Sequence, residues 1–140
     1  MNTEMCYLYR DAGNFKTFNE VVLRGEMSEA DLARILDSLR DHELFIPDQI
    51  GLPEDRGEFD IDDELDHCWF ELHKQDFMPT DEEPTVDLST RELADRFERA
   101  AAEGWKDAEA WDRLFGGHMS PDRALSVMQG ALGQPEGPER

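Results

Sequence analysis

Apolar and polar residues at the start of the chain follow a pattern that predicts a β-hairpin. Residues 5–10 form a short aromatic and apolar run, as expected for a strand. Residues 11–14 contain Gly13 and Asn14, which tolerate the positive φ angles of a chain reversal. A second strand is expected over residues 15–24, with Gly25 ending it.

The segment after the hairpin has the spacing of an amphipathic helix. Ser28 is a good N-cap residue, and acidic side chains follow it in the expected first turn. Apolar residues then recur at positions i, i+3, i+4 and i+7, namely Leu32, Ile35, Leu36 and Leu39. This single apolar stripe predicts a helix that packs across one face of the sheet.

The middle of the chain predicts a loop, a short strand and a linker. Pro47, Gly51 and Pro53 interrupt regular structure and lead into an acidic loop. Residues 68–72 resume a strand pattern with alternating faces. Cys68, Phe70 and Leu72 are expected to face inward, and His67, Trp69, Glu71 and His73 outward.

The C-terminal part predicts helices. Ser89 and Glu92 form a capping box, and Gly104 is placed to end the helix that follows. A second helix is expected over residues 106–114 and a third, short one after Ser120. We therefore expect one α+β domain over residues 1–132, built from a small antiparallel sheet covered by one long helix, with a helical C-terminal segment. Its parts are a sheet-plus-helix unit (1–78), a linker (79–88) and a helical segment (89–132), and residues 133–140 form a frayed tail.

Charge changes this picture more than any other property of the composition. The chain has 34 acidic and 14 basic residues, for a net charge of -20. Residues 54–87 alone hold 14 acidic and 2 basic residues, a net charge of -12. A field of this sign attracts cations and basic protein surfaces and repels phosphate groups. Direct binding to nucleic acid or to an anionic membrane is therefore not expected.

The N-terminal residues lack the basic and apolar regions of a signal peptide, and no stretch has the length of a membrane helix. These features predict a cytoplasmic protein. Cys6 and Cys68 are expected to stay reduced and to fill small buried positions.

Three motifs in the first half resemble a group of small bacterial proteins. They are residues 7–16, YLYRDAGNFK; residues 43–53, ELFIPDQIGLP; and residues 66–72, DHCWFEL. The shared patterns are Tyr-x-Tyr-Arg-Asp-Ala-x-Asn-x-Lys, Phe-Ile-Pro-x-Gln-x-Gly-Leu-Pro and Asp-x-x-Trp-x-Glu. The group has no known activity, so the resemblance implies a compact N-terminal unit and no particular function.

The first of these motifs has two interpretations. Arg10, Asp11, Asn14 and Lys16 cluster at the hairpin turn, where turn chemistry and an ion pair across strands would explain them. Alternatively, they form a polar pocket together with Trp69 and Glu71. Such a pocket would bind a small ligand or support acid–base chemistry in an enzyme, because an ion-paired carboxylate beside an indole has a tuned pKa.

No cofactor, metal site or catalytic motif is expected. Asp60, Asp62, Glu64, Asp66 and Glu71 have the spacing of calcium ligands in an EF-hand loop. However, Leu65 stands where the turn of that loop requires glycine. His67, Cys68 and His73 lack a second ligand pair at zinc spacing, and no nucleophile or phosphate-loop motif is present.

The remaining interpretation of the acidic segment is recognition by charge. Spaced carboxylates can imitate phosphates and occupy a basic groove, as in small acidic inhibitors and immunity proteins. The predicted function is a non-enzymatic binding module, such as an inhibitor, immunity or defence-related factor. Its partner would be a basic surface on a nuclease, a toxin or a nucleic-acid-binding complex, docked through residues 54–71. The contact residues would be Asp60, Asp62, Asp63, Glu64, Asp66, Trp69 and Glu71. The alternative is that these acids only solubilise a loop or reflect adaptation to salt.

Overall fold

A computed structural model describes residues 1–57 and 67–115 of the chain. Within these residues it contains five strands and three α-helices, together with short 3₁₀ helices at Pro47–Ile50 and Lys74–Asp76. In chain order the elements are β1 (Asn2–Arg10), β2 (Lys16–Leu23), α1 (Glu29–Ser38), β3 (Leu44–Phe45), β4 (Phe70–Glu71), β5 (Phe77–Thr80), α2 (Thr90–Glu103) and α3 (Asp107–Phe115).

β1 is the central strand of an antiparallel sheet. The hairpin pairs it with β2 along its whole length, from Thr3 opposite Leu23 to Arg10 opposite Lys16. Its other edge is shared by β5, which pairs with its N-terminal half, and by β4, which places Glu71 opposite Leu8. β3 extends the sheet by pairing with β4. Because side chains alternate along β1, its odd-numbered residues face the core and its even-numbered residues face the other way.

The helices begin and end where local chemistry requires. The Ser28 side chain accepts a hydrogen bond from the backbone N–H of Asp31 and so caps α1. Ser89 and Glu92 form the reciprocal bonds of a capping box at the start of α2. Gly104 ends α2 at a φ of 89°, a left-handed value that favours glycine.

The main core lies between the sheet and the pair formed by α1 and α2. Tyr7, Phe45, Phe70 and Phe97 are fully buried there in edge and tilted ring contacts. A second, smaller cluster lies where α3 packs. It contains Leu44, Ile46, Cys68, Trp69, Ala110 and Trp111.

The expected α+β class with a small antiparallel sheet is confirmed. The hairpin, the helix after Ser28, the capping box and the helix carrying Trp111 also occur as predicted. A single long helix over the sheet is not shown, because the longest helix among the described residues is α2, with 14 residues, and α1 has 10. The expected third helix and the tail lie outside the described residues.

Two elements differ from expectation. Pro79 and Thr80, which were expected to begin a linker, belong to β5. Pro79 is compatible with a strand here because β5 pairs only with β1, so its other side needs no backbone donor. Pro47 starts a short helix instead of interrupting regular structure, since proline is well suited to a first helical position.

Candidate functional site

The residues just before the acidic segment are bonded to the hairpin. The Tyr7 hydroxyl donates a hydrogen bond of 2.6 Å to the carbonyl oxygen of Pro53. The Asn19 side chain donates to the carbonyl oxygen of Asp55 at 2.9 Å and accepts from its N–H at 2.8 Å. Asn19 is buried, so these two bonds satisfy an amide that would otherwise be costly to bury.

Arg56 holds the same flank through its guanidinium group. It lies 5.3 Å from the ring centre of Tyr9 and 4.9 Å from that of Phe70, both within the range of cation–π contacts. It also donates to the Glu54 carboxylate at 2.9 Å and to the carbonyl oxygen of His67 at 3.3 Å. This arginine therefore connects the residues before the acidic segment to those after it.

His67 holds the flank after the acidic segment. Its N–H donates to the Tyr9 hydroxyl at 3.2 Å, and its ring Nε2 lies 2.6 Å from the carbonyl oxygen of Arg10. Ring Nδ1 accepts from the N–H of Trp69 at 3.0 Å. Because Nδ1 accepts and Nε2 faces a carbonyl oxygen, these bonds fit a neutral imidazole with its proton on Nε2.

The residues on either side of the acidic segment are therefore bonded to the hairpin, at Asp55 and at His67. Residues 58–66 themselves lie outside the described residues. This range holds five of the predicted docking residues, namely Asp60, Asp62, Asp63, Glu64 and Asp66.

Trp69 is buried, and the expectation of an exposed indole is wrong. Trp69 is only 1% exposed and belongs to the smaller cluster, where α3 packs. The Arg40 guanidinium lies 5.0 Å from the centre of its ring. The regular strand contains only Phe70 and Glu71, so strict alternation does not extend back to Trp69. His67, also expected to face outward, is 4% exposed because its ring bonds the backbone.

Glu71 and Arg10 form an ion pair on the sheet. The Arg10 guanidinium lies 3.0 Å from the Glu71 carboxylate, and it also donates to the Asn14 side chain at 2.9 Å. Asn14 has a φ of 66°, and the Asp11 carboxylate accepts from the N–H of Phe15. This geometry is the turn chemistry and cross-strand pairing that offered the simpler interpretation of the motif.

The alternative pocket is assembled only in part. Arg10, Asn14 and Glu71 are in contact, and Lys16 lies opposite Arg10 in the hairpin register. Trp69 packs in a different cluster, so the indole wall proposed for tuning Glu71 is absent from this group. Two surface concavities that the structure describes, one beside α3 and one beside β5, are lined by other residues.

Glu54 is neutralised inside the molecule. Its side chain is 6% exposed and lies 2.9 Å from Arg56 and 3.1 Å from Arg113. Because Arg113 is distant in sequence, no local pattern indicates this ion pair. Glu54 and Glu71 are thus paired with arginines of the same chain. They therefore add less to the negative potential around the protein than the sequence alone suggests.

A further group of carboxylates lies on the face of the sheet that points away from α1 and α2. Glu4, Cys6 and Glu20 place their side-chain ligand atoms within 4.8 Å of one another. The Cys6 Sγ is 3.8 Å from Glu4 and 3.9 Å from Glu20. Burial, followed by repulsion from Glu20 and Glu4, raises the pKa of the Cys6 thiol to about 11. At neutral pH the group is therefore a protonated thiol between two acids, and a metal would have to displace that proton.

Comparisons with protein-family models, with curated proteins and with solved structures gave no match. The resemblance to a bacterial group thus stays a prediction. Among the helices in the described part of the chain, none has the length and apolar character to cross a membrane.

Proposed function

We propose that this chain is a non-enzymatic acidic binding module that docks a basic protein surface through residues 58–66 and their flanks. The observation that carries the proposal is that the most acidic part of the chain is joined at both ends to the hairpin through buried side chains. The partner would be a nuclease, a toxin or a nucleic-acid-binding complex, and the module an inhibitor, immunity or defence-related factor.

Fixed ends favour this role because they lower the entropy lost on binding. Asn19, Arg56 and His67 hold the residues on either side of the acidic segment, and any segment held at both ends samples fewer arrangements than a free tail of the same length. Its carboxylates also steer a basic partner toward one end of the hairpin. An acidic tail that only improved solubility would gain nothing from such fixation.

Two of the residues first expected at the contact have other roles. Trp69 is buried in the cluster under α3 and cannot reach a partner without rearrangement of that cluster. Glu71 is paired with Arg10, so its charge is largely compensated. The proposal therefore depends on Asp60, Asp62, Asp63, Glu64 and Asp66.

Affinity capture at low salt tests this proposal. The chain is immobilised and exposed to a bacterial lysate, and retained proteins are compared with those held by the variant D60N/D62N/D63N/E64Q. We expect the wild type to retain a basic protein, and the variant to retain at least about tenfold less, since each charge pair at an interface is worth up to about 1 kcal/mol.

A matched control separates the segment from the net charge. The variant D37N/D41N/D81N/E83Q removes the same number of charges from exposed positions elsewhere in the chain. It should retain the partner like the wild type, and both variants should melt at nearly the wild-type temperature. Equal retention by the wild type and both variants would reject the acidic segment as the docking site.

A further inference from the structure

The sheet face that points away from α1 and α2 carries apolar side chains at its hairpin end. Leu8 and Phe18 are directly opposite each other in the β1–β2 register, so their side chains lie on the same face. Phe18 is 72% exposed, although a phenylalanine ring loses free energy when left in water. Phe18 therefore offers a partner an apolar contact that the described part of the fold does not use.

Acidic side chains adjoin this apolar pair on the same face. Cys6 lies opposite Glu20 in the hairpin, one row from Leu8 and Phe18, and Glu4 lies one row further. On the other side of β1, Met78 lies opposite Glu4 and is 58% exposed. The side-chain ligand atoms of Glu4, Cys6 and Glu20 lie within 4.8 Å of one another, so two carboxylates are concentrated at the middle of the face.

In the hairpin strands, the basic residues of this face lie at the turn. Arg10 and Lys16 are opposite each other at the turn, and Arg10 is paired with Glu71. The centre of the face, at Glu4, Cys6 and Glu20, is therefore acidic, with the apolar Leu8, Phe18 and Met78 beside it. A surface of this composition complements a segment that carries apolar side chains next to lysine or arginine.

A second copy of this chain is the wrong occupant on charge grounds. Two copies, each with a net charge of -20, would repel each other. We propose instead that this face, centred on Leu8, Phe18, Glu4 and Glu20, docks a polypeptide segment of the partner in which apolar and basic side chains alternate. This inference rests on the proposed function in that it takes the partner to be basic.

Cys6 provides an internal probe for occupancy of the face. It is partly exposed at the centre of the face, while Cys68 is fully buried. An alkylating reagent should therefore modify Cys6 in the folded chain, and a peptide bound on the face should slow this reaction. The rate with and without ligand is compared within each variant, because charge changes near Cys6 alter its intrinsic reactivity.

The experiment uses two labelled ten-residue peptides, one alternating lysine with leucine and one alternating lysine with serine. Affinity for the full chain is measured by fluorescence anisotropy, and occupancy by the rate of Cys6 alkylation. We expect the leucine peptide to bind about tenfold more tightly than the serine peptide, because apolar contacts with Phe18 and Leu8 add to the charge attraction. Only the leucine peptide, at equal concentration, should slow alkylation strongly.

Three variants separate the contributions. F18T keeps a strand-forming residue and should reduce the preference for the leucine peptide to within about twofold. E4Q/E20Q should weaken both peptides about threefold to tenfold, by loss of two charge contacts. D37N/D41N removes two exposed charges elsewhere and should leave both affinities unchanged.

Unchanged leucine preference in F18T, or binding without slower Cys6 alkylation, would overturn the docking face. These results would not reject the proposed function, which is tested separately by D60N/D62N/D63N/E64Q. Conversely, the expected loss of leucine preference in F18T and weaker binding in E4Q/E20Q, with full capture by D60N/D62N/D63N/E64Q, would support the face and reject the acidic segment as the contact.

Discussion

At the level of single residues, Asn19 is a clear case of a polar side chain that positions the residues before the acidic segment. It is 6% exposed, and its amide makes two hydrogen bonds to the backbone of Asp55. The free energy of a buried amide depends on such bonds being made. The flank before the acidic segment is therefore held in part by this side chain of β2.

Replacing this residue tests that dependence. Asn19→Ala should lower the free energy of unfolding by about 2 kcal/mol, because two hydrogen bonds are lost and the backbone groups of Asp55 lose their partners. Urea unfolding measures the change. Thr17→Ala, two residues away on the same strand and face, is the control and should cost less than half as much. Equal losses for the two variants would contradict the role given to Asn19.

Cys6 permits a second test at this scale. Its pKa is raised to about 11, chiefly by burial and then by Glu20 and Glu4. E4Q/E20Q should lower this pKa and so raise the fraction of Cys6 present as thiolate near pH 8. Because the thiolate is the reactive form, alkylation of Cys6 should become several-fold faster, roughly in proportion to that fraction. D37N/D41N should alkylate at the wild-type rate. A shift of the pH–rate profile toward higher pH in E4Q/E20Q would contradict the assignment.

Single residues also show why part of the site could not be predicted. Alternation correctly places Cys68, Phe70 and Leu72 inside, because period-two patterning depends only on the local chain. It fails for Trp69 and His67, whose burial depends on α3 and on the carbonyl oxygen of Arg10. Contacts between residues so far apart in sequence leave no periodic signal.

At the level of elements, the start of α2 combines local signals with tertiary contacts. Ser89 and Glu92 form the capping box, and Arg24 from the end of β2 donates to the Glu92 carboxylate at 2.9 Å. The bond from Arg24, followed by those from Ser89, lowers the pKa of Glu92 to about 2. The box is visible in the sequence, but the pairing with Arg24 is not.

Removing the cap should weaken this element measurably. Ser89→Ala should lower the free energy of unfolding by about 1 kcal/mol, the usual cost of losing an N-cap side chain. Urea unfolding at neutral pH measures this change in the free energy of unfolding. Thr85→Ala is not a neutral control. Thr85 lies before α2, and its Oγ1 accepts a hydrogen bond from the N–H of Val22 in β2. Asp81→Asn, exposed and outside any element, is the better comparison and should have no effect.

The pH dependence of the same element follows from the sign of the Glu92 shift. Because the folded pKa lies below the ordinary value of 4.5, the stabilisation is complete above that value and is lost as the pH falls toward about 2. Glu92→Gln should therefore show a shallower loss of stability between these pH values than the wild type. An identical acid profile, measured by urea unfolding at several pH values, would contradict the pairing.

The strands illustrate the limits of prediction at this scale. β1 and β2 were predictable because they are long and joined by a turn with clear Gly and Asn signals. β3 and β4 have only two residues each, too few for periodicity to detect. β5 contains a proline, so the sequence favours a linker until its position beside β1 is known.

At the level of the whole molecule, the distribution of charge was evident from composition, but its compensation was not. Residues 54–87 have a net charge of -12, and the structure pairs three of their acids, Glu54, Glu71 and Asp87, with arginines from other parts of the chain. Arg34 likewise joins α1 to α2 by bonding Asp95 and Glu98. Arginines thus connect elements that are distant in the sequence.

The most direct test of the acidic docking role is the salt dependence of association between the chain and its captured partner. The account predicts that the association rate of the wild type falls steeply as ionic strength rises, because salt screens the attraction between carboxylates and a basic partner. D37N/D41N/D81N/E83Q should give nearly the same slope, and D60N/D62N/D63N/E64Q a clearly shallower one. Equal slopes for the two quadruple variants would contradict the claim that residues 58–66 guide the partner.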